Sequence, residues 1–307
     1  MKAPKRILCI IDPTQDEQPA LARAAMLATT FNAELRLYIS WYYAYLTDIA
    51  ADYGQVGASF SKAAIEGLQR RLDGLADNLR ADGHTVTASA EWHQNLPDSI
   101  IAEAQRWRAD LVVKETHYHT AIERALLTNT DWRLIRKCPL PLWLVKTDTS
   151  FGGRTRLLAC VDPVREHDQP ESLDLDILMT GKVLSDSLKA EFYAFHSFNP
   201  LVPVGHAATW ALKPQELPID EISARAKADH EAAFNALADK FRIAKERRVL
   251  TSGPVRTTLP GVIAELGISL VVLGAVARTK LKRAVIGSTA ESVMDHVSCD
   301  LLVLRPG

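Results

Sequence analysis

The feature that most constrains this chain is an internal duplication. Residues 6–21, "RILCIIDPTQDEQPAL", match residues 156–173, "RLLACVDPVREHDQPESL", in an apolar run, an Asp-Pro pair and a Gln-Pro that opens a helix. Near the end of each half, "TDWRLIRKCPLPLWLVK" (130–146) aligns without a gap to "TAESVMDHVSCDLLVLR" (289–305). A repeat of this length predicts two copies of one fold. We therefore expect two domains, 1–148 and 153–307, connected through the linker "TDTSFGGR" (147–154).

The pattern within each copy predicts an α/β fold. Short apolar runs alternate with segments of helical periodicity, which is typical of a parallel sheet whose strands are connected by helices. The strands predicted in the first copy are 6–12, 34–41, 85–93, 109–115 and 141–146. Those predicted in the second copy are 155–162, 190–198, 247–252, 269–274 and 300–305.

Two helices are predicted from apolar residues spaced three and four apart. The helix over 62–81 places five such residues on one face: Ile65, Leu68, Leu72, Leu75 and Leu79. The helix over 221–243 does the same with Ile222, Ala226, Ala233, Phe234, Leu237 and Phe241. The segments 42–61 and 199–220 lack a clear pattern and are interpreted as surface loops, with a lid over a cleft as the alternative.

Composition narrows the function classes. A net charge of -1 gives no field that attracts a polyanion, so we expect no nucleic-acid partner. The apolar run Ile7–Ile11 is too short for a signal peptide or a membrane span, which predicts no membrane insertion. The four cysteines form no CxxC pair, so we expect reduced core thiols in a cytoplasmic protein.

One loop in the second copy has the chemistry of an anion site. An open parallel sheet binds ligands beyond the carboxyl ends of its strands, where the loop "GAVARTKLKRAVIGST" (274–289) begins. Glycine at 274 and 287 allows the backbone to approach phosphate, Ser288 and Thr289 can donate hydrogen bonds, and Arg278 can neutralise charge. The alternative is a solvated basic loop in which Ser288 or Thr289 only caps a helix.

These residues, together with the acids Asp12 and Asp162 that end the two first strands, resemble the universal stress protein family, and in particular its tandem, E-type branch. The resemblance implies two tandem five-stranded parallel sheets of order 3-2-1-4-5, a cytoplasmic location and a role in stress survival. Many family members bind ATP through a pattern of Gly, two residues, Gly, nine residues, Gly, then Ser or Thr. For this chain the resemblance implies ATP, with Mg²⁺ beside it, in the second copy only.

Carried over to the second copy, the family pattern is matched by Gly274, Gly287 and Ser288, and Asp162 matches the acid that holds the adenosine part. Ala277 stands where the middle glycine belongs. If that position needs a positive φ, alanine costs about 1–2 kcal/mol.

The first copy lacks the pattern. The first-copy loop, 114–130, is aligned to the second-copy loop, 274–289, with a one-residue gap in the second copy. In that alignment Lys114, His117 and Thr128 stand at the three glycine positions. Asp12 and the hydroxyls of Thr128 and Thr130 remain, so we expect this copy to bind no ATP.

Three alternatives remain open. His93, His117, His119 and His167 could suggest a metal, although hydrogen-bonding roles are favoured over a metal site. An enzyme lacks support because GxxxxGK[ST], GxSxG and GxGxxG are all absent; at most, slow ATP hydrolysis would accompany binding. A regulatory or scaffold protein could instead hold an apolar metabolite or a protein in the second-copy cleft.

The two halves are expected to pair through their last strands as an internal pseudo-dimer, in a monomer or homodimer.

Overall fold

The computed structural model describes residues 2–42, 55–116, 130–146, 154–164, 171–199, 218–275, 297 and 299–306. The chain separates into two compact units, Lys2–Ser150 and Phe151–Gly307. Of the helices in these described ranges, none is both long enough and apolar enough to cross a membrane.

The first unit is a parallel sheet with helices between its strands. Its strands are β1 (Arg6–Ile10), β2 (Glu34–Trp41), β3 (Val86–Trp92), β4 (Leu111–Glu115) and β5 (Leu142–Val145). Its described helices are α1 (Pro19–Phe31), α2 (Gln55–Ala81), α3 (Leu96–Arg106) and α4 (130–137). The strand order is β3-β2-β1-β4-β5, and each neighbouring pair is parallel.

The second unit repeats this arrangement. Its strands are β6 (Arg156–Cys160), β7 (Glu191–Phe198), β8 (Arg248–Ser252), β9 (Leu270–Gly274) and β10 (Asp300–Leu304). Its described helices are α5 (Glu171–Leu188), α6 (Ile219–Lys240) and α7 (Val255–Leu266). The order β8-β7-β6-β9-β10 is the same order, and every pair is again parallel.

The predicted fold class and strand order are confirmed in both units. All ten predicted strands occur, most of them one or two residues shorter at an end than predicted. Strands that are buried on both faces are the easiest to detect: β5 and β10 are buried at every position. Such strands appear in a sequence as continuous apolar runs.

The boundaries of the two predicted helices need correction. Helix α2 begins at Gln55, so the end of the segment interpreted as loop 42–61 is helical, and residues 43–54 lie outside the described residues. Helix α6 begins at Ile219 and ends at Lys240, before the predicted 243, because Arg242 takes a positive φ of 54° that a helix cannot contain. The remainder of the other loop segment, 200–217, also lies outside the described residues.

Candidate functional site

Two of the predicted site residues lie at the carboxyl edge of the second unit's sheet. Asp162 follows β6 closely, and Gly274 is the last residue of β9. The strands β6 and β9 are parallel neighbours, with Leu157 opposite Leu270. The expectation that the first and fourth strands of a copy lie side by side is therefore confirmed, and the two residues end adjacent strands.

The turn that carries Asp162 is held by a buried carboxylate. The Asp162 N–H donates to Asp174 Oδ1 at 3.0 Å, and Asp174 lies buried near the start of α5. In the first unit the Asp12 N–H instead donates to Gln18 Oε1 at 3.2 Å, and Gln18 Nε2 returns a hydrogen bond of 2.8 Å to the Asp12 carbonyl. The Gln-Pro pair noted in the sequence thus ties the first strand of that unit to the start of α1.

Gly274 is required by packing. A Cβ built on it would lie 2.6 Å from Leu173 Cδ2 and 3.2 Å from Ile177 Cδ1, both on α5. Real Cβ contacts are not this short, so helix α5 could not lie this close to β9 with any larger residue at 274. This glycine therefore has a structural reason that does not depend on a ligand.

The other predicted site residues lie outside the described residues: Ala277, Arg278, Gly287, Ser288 and Thr289. His117, His119 and His167 do as well. His93 is described, and its Nδ1 accepts a hydrogen bond of 3.0 Å from the Asn95 N–H, just before α3. Within the described ranges, His, Cys, Asp and Glu side chains form no group of three that could hold a metal ion.

A buried histidine pair beside Asp162 was not predicted. His196 on β7 and His230 on α6 are 2% and 3% exposed, and their rings stack. His196 Nδ1 donates to the carbonyl of Val161 at 3.0 Å, which leaves its Nε2 to accept the Nδ1–H of His230 at 2.8 Å. The chain of hydrogen bonds ends on the residue before Asp162. Helical spacing places His230 four residues from both Ala226 and Phe234 on the buried face, and this is the signal that would have identified it.

Strand register corrects the predicted alignment of the two loops. Glu115 pairs with Val145 in the first unit, and Gly274 pairs with Leu304 in the second. Val145 and Leu304 are counterparts in the gap-free alignment of the two chain ends. The counterpart of Gly274 is therefore Glu115, and the assignment of Lys114 to that position is wrong by one residue.

The corrected register also removes the gap. The interval from Glu115 to Thr128 equals the interval from Gly274 to Gly287, so Tyr118, not His117, stands opposite Ala277. The first copy thus has a carboxylate at the position where the family pattern has its first glycine. A carboxylate there repels phosphate, which strengthens the expectation that this copy binds no ATP.

The first unit has a cavity of about 470 Å³ at the carboxyl edge of its sheet. The ends of β1, β2 and β4 and the start of α4 contribute to its walls. The charged residues among its described lining are Asp12, Lys114, Glu115 and Asp131. Sequence reasoning considered Asp12 and Lys114 separately but had no basis for bringing Asp131 to the same place.

An ion pair and hydrogen bonds hold the charged side chains of the cavity in place. Lys114 Nζ lies 2.9 Å from Asp131 Oδ1 and donates to the backbone carbonyl of Glu115 at 2.7 Å. Asp12 Oδ1 accepts from both the N–H and the Oγ1 of Thr14, at 2.8 and 2.6 Å. Burial, and then the negative charge of Glu115, raise the pKa of the Cys9 thiol well above its usual range.

The class of protein follows from this architecture. Both units are doubly wound α/β domains of the same strand order, and in the second unit an acid and a glycine end neighbouring central strands. The chain belongs to the universal stress protein family, because the model of that family matches residues 4–146 and 184–305.

Known proteins are similar to this chain over nearly its whole length. The chain is 28% identical over 305 residues to "Universal stress protein E" of Salmonella typhi and of Escherichia coli, covering 98% of this chain and 94% of each relative. It is also similar to the crystal structure of a functionally unknown protein from Pseudomonas aeruginosa, with a TM-score of 0.74 and 26% identity over 99% of this chain and 93% of that one. The similarity therefore extends over both copies.

Proposed function

We propose that this chain acts in the cytoplasmic stress response by binding a nucleotide, ATP with Mg²⁺, at the carboxyl edge of the second unit's sheet. The observation that carries the proposal is that Asp162 and Gly274 end the neighbouring strands β6 and β9. Open parallel sheets bind their ligands at this edge. Membership of the universal stress protein family supports the stress-response role.

The residues available there fit a nucleotide. Asp162 would accept hydrogen bonds from the adenosine part, and its turn is already oriented by Asp174. The phosphates would be held by Gly287, Ser288 and Thr289, with Arg278 opposite their charge. Because Gly274 is required by the packing of α5, the phosphate contacts in this proposal rest on Gly287 and the residues after it.

The test is a calorimetric titration of Mg-ATP into the wild-type protein and Gly287→Val. We expect the wild type to bind one nucleotide per chain and the variant to lose that binding, because valine side-chain atoms would occupy the phosphate approach. Gly261→Val is the matched control, since Gly261 lies on α7 and a Cβ there would have nothing within 4 Å. Unchanged affinity in Gly287→Val would refute the site.

The alternative is a regulatory or scaffold protein that holds a non-nucleotide metabolite in the same cleft. Two observations favour it: Ala277 replaces the middle glycine, and Gly274 has a packing reason of its own. Native mass spectrometry of gently purified protein distinguishes the two. A released nucleotide supports the first proposal, and a different small molecule supports the alternative.

A further inference from the structure

We propose that the first unit's cavity binds a small organic cation, an amine with an apolar body. This is a second site in the other unit, with the opposite charge preference to the nucleotide site. It does not depend on the proposed function.

The cavity has the size and walls of a small-molecule site. Its volume of about 470 Å³ falls within the range of roughly 300–1,000 Å³ typical of ligand pockets. Apolar side chains supply much of the wall: Ile10, Ile11, Pro13, Trp41 and Leu96. An apolar or aromatic ligand body would be buried against them.

The lining charges select a cation. Among the described lining residues, three carboxylates, Asp12, Glu115 and Asp131, accompany one ammonium, Lys114, so this part of the lining carries a net charge of two negatives. Lys114 is paired with Asp131, so its positive charge is already directed at a carboxylate and not at an anionic ligand. A phosphate or carboxylate ligand would meet like charge in a partly enclosed space, whereas an ammonium would be attracted.

In the part of the chain that the structure describes, the cation that approaches from α2 does not reverse this preference. Arg71 on α2 approaches the rim, where its guanidinium donates to the carbonyls of Pro13 and Gln15. Its charge is offset by Asp16, whose Oδ1 lies 3.6 Å away. The Arg71 donors are therefore directed at backbone oxygens and at a carboxylate.

Ser40 provides a polar group suited to a ligand. It lines the cavity at the end of β2 and is 8% exposed, and its Oγ has no hydrogen-bond partner among the described residues. Its counterpart Ser197, also the second-last residue of its strand, bonds to the Gly253 carbonyl and lies 3.2 Å from Thr258 Oγ1. A buried hydroxyl without a partner is disfavoured, and an ammonium donor would satisfy its oxygen.

Trp41 adds an aromatic surface beside the carboxylates. It ends β2 next to Ser40 and lines the same cavity. The faces of indole rings attract organic cations, and neutral or anionic ligands lack that attraction. Charge, hydroxyl and aromatic surface therefore favour the same ligand class.

The experiment compares three probes that share an indole ring and carry a short side chain of different charge: tryptamine (an ammonium), tryptophol (a neutral hydroxyl) and indole-3-acetate (a carboxylate). Each is titrated into the full-length protein by ligand-observed NMR. We expect tryptamine to bind at least about tenfold more tightly than either of the others, because only its ammonium gains charge-assisted contacts. Equal affinities, a preference for indole-3-acetate, or no tryptamine binding at roughly 10 mM would each overturn the proposal.

Variants locate the site. Glu115→Gln keeps the shape of the side chain and removes its charge, so we expect it to weaken tryptamine by at least about tenfold. Asp186→Asn is the matched control, because Asp186 is an exposed carboxylate in the other unit, paired with Lys182 at 2.6 Å. Equal effects of the two variants would overturn the proposal.

Ser40→Ala is a second test of the site that stays informative if Glu115→Gln folds poorly. It removes only the hydroxyl and should weaken tryptamine severalfold while the circular dichroism melting curve stays unchanged. Unchanged tryptamine affinity in both folded variants would place the ligand elsewhere and overturn the proposal.

Discussion

At the residue scale, the two copies differ most at the end of the fourth strand. The second copy has Gly274 there, and the close approach of α5 leaves no room for a Cβ. The first copy has Glu115, a residue with a long charged side chain that lines a cavity. Duplication of one fold has thus produced two copies that differ in size and charge at this position.

The packing role of Gly274 is testable by Gly274→Ala. The added methyl group would overlap Leu173 and force α5 to shift, so we expect a loss of about 1–3 kcal/mol in the free energy of unfolding, measured with urea. Gly74→Ala is the control, because Gly74 lies on α2 with nothing within 4 Å of its added Cβ. There alanine should leave stability equal or higher by up to about 1 kcal/mol. A Gly274→Ala variant as stable as the wild type would show that α5 can accommodate a methyl group at position 274.

At the scale of elements, the strands were predicted more accurately than the helix ends. Runs such as "LWLV" in β5 are buried at every position, and few other structures suit so short an apolar run between turns. The start of α2 is different: in residues 55–61 the large apolar residues are only Val56 and Phe60, with Gly57 between them, so the sequence offers a weak signal for the first two turns. Helix α2 continues there because an existing helix extends more readily than it nucleates.

The periodicity of α2 makes an element-scale prediction. Leu72 is fully buried, whereas Leu79, two turns later on the predicted face, is only partly buried. We expect Leu72→Ala to lower the free energy of unfolding by about 2–5 kcal/mol, because it leaves a cavity in the core. Leu79→Ala should cost clearly less, since less of its surface leaves water on folding. Equal losses in parallel urea titrations would contradict the burial pattern.

At the scale of the whole molecule, the chain is two complete copies of one sheet. Each unit has its five described strands hydrogen-bonded in the same order, and each has its own buried residues. Leu8 and Val112 lie at the centre of one core, and Leu158 and Val271 at the centre of the other. A unit with its own core and its own set of paired strands can fold independently.

The corresponding prediction concerns the two halves produced separately. We expect residues 1–148 and 153–307 each to give a helical circular dichroism spectrum and a cooperative urea transition. The second half should also retain any Mg-ATP binding seen in the intact chain, and the first half should show none. A half that gives a random-coil spectrum under native conditions would show that its fold depends on the other copy.

Much of this protein was determined by its sequence alone: the duplication, the α/β class, the ten strands and the acid that ends each first strand. These features depend on local apolar pattern and on repetition, both of which can be seen without coordinates. The strand order came from the family resemblance, and the structure confirms it.

Only the tertiary structure decided the register of the two loops, and with it the identity of Glu115 as the counterpart of Gly274. It alone brought Asp131 to Lys114, and His230 to His196, in pairs separated by 17 and 34 residues in the chain. The physical reason is that apolar pattern reports which face of an element is buried, and it carries no information on which distant side chains meet there. Such contacts arise when strands pair in a particular register and helices pack at a particular position along the sheet. Both are properties of the assembled fold.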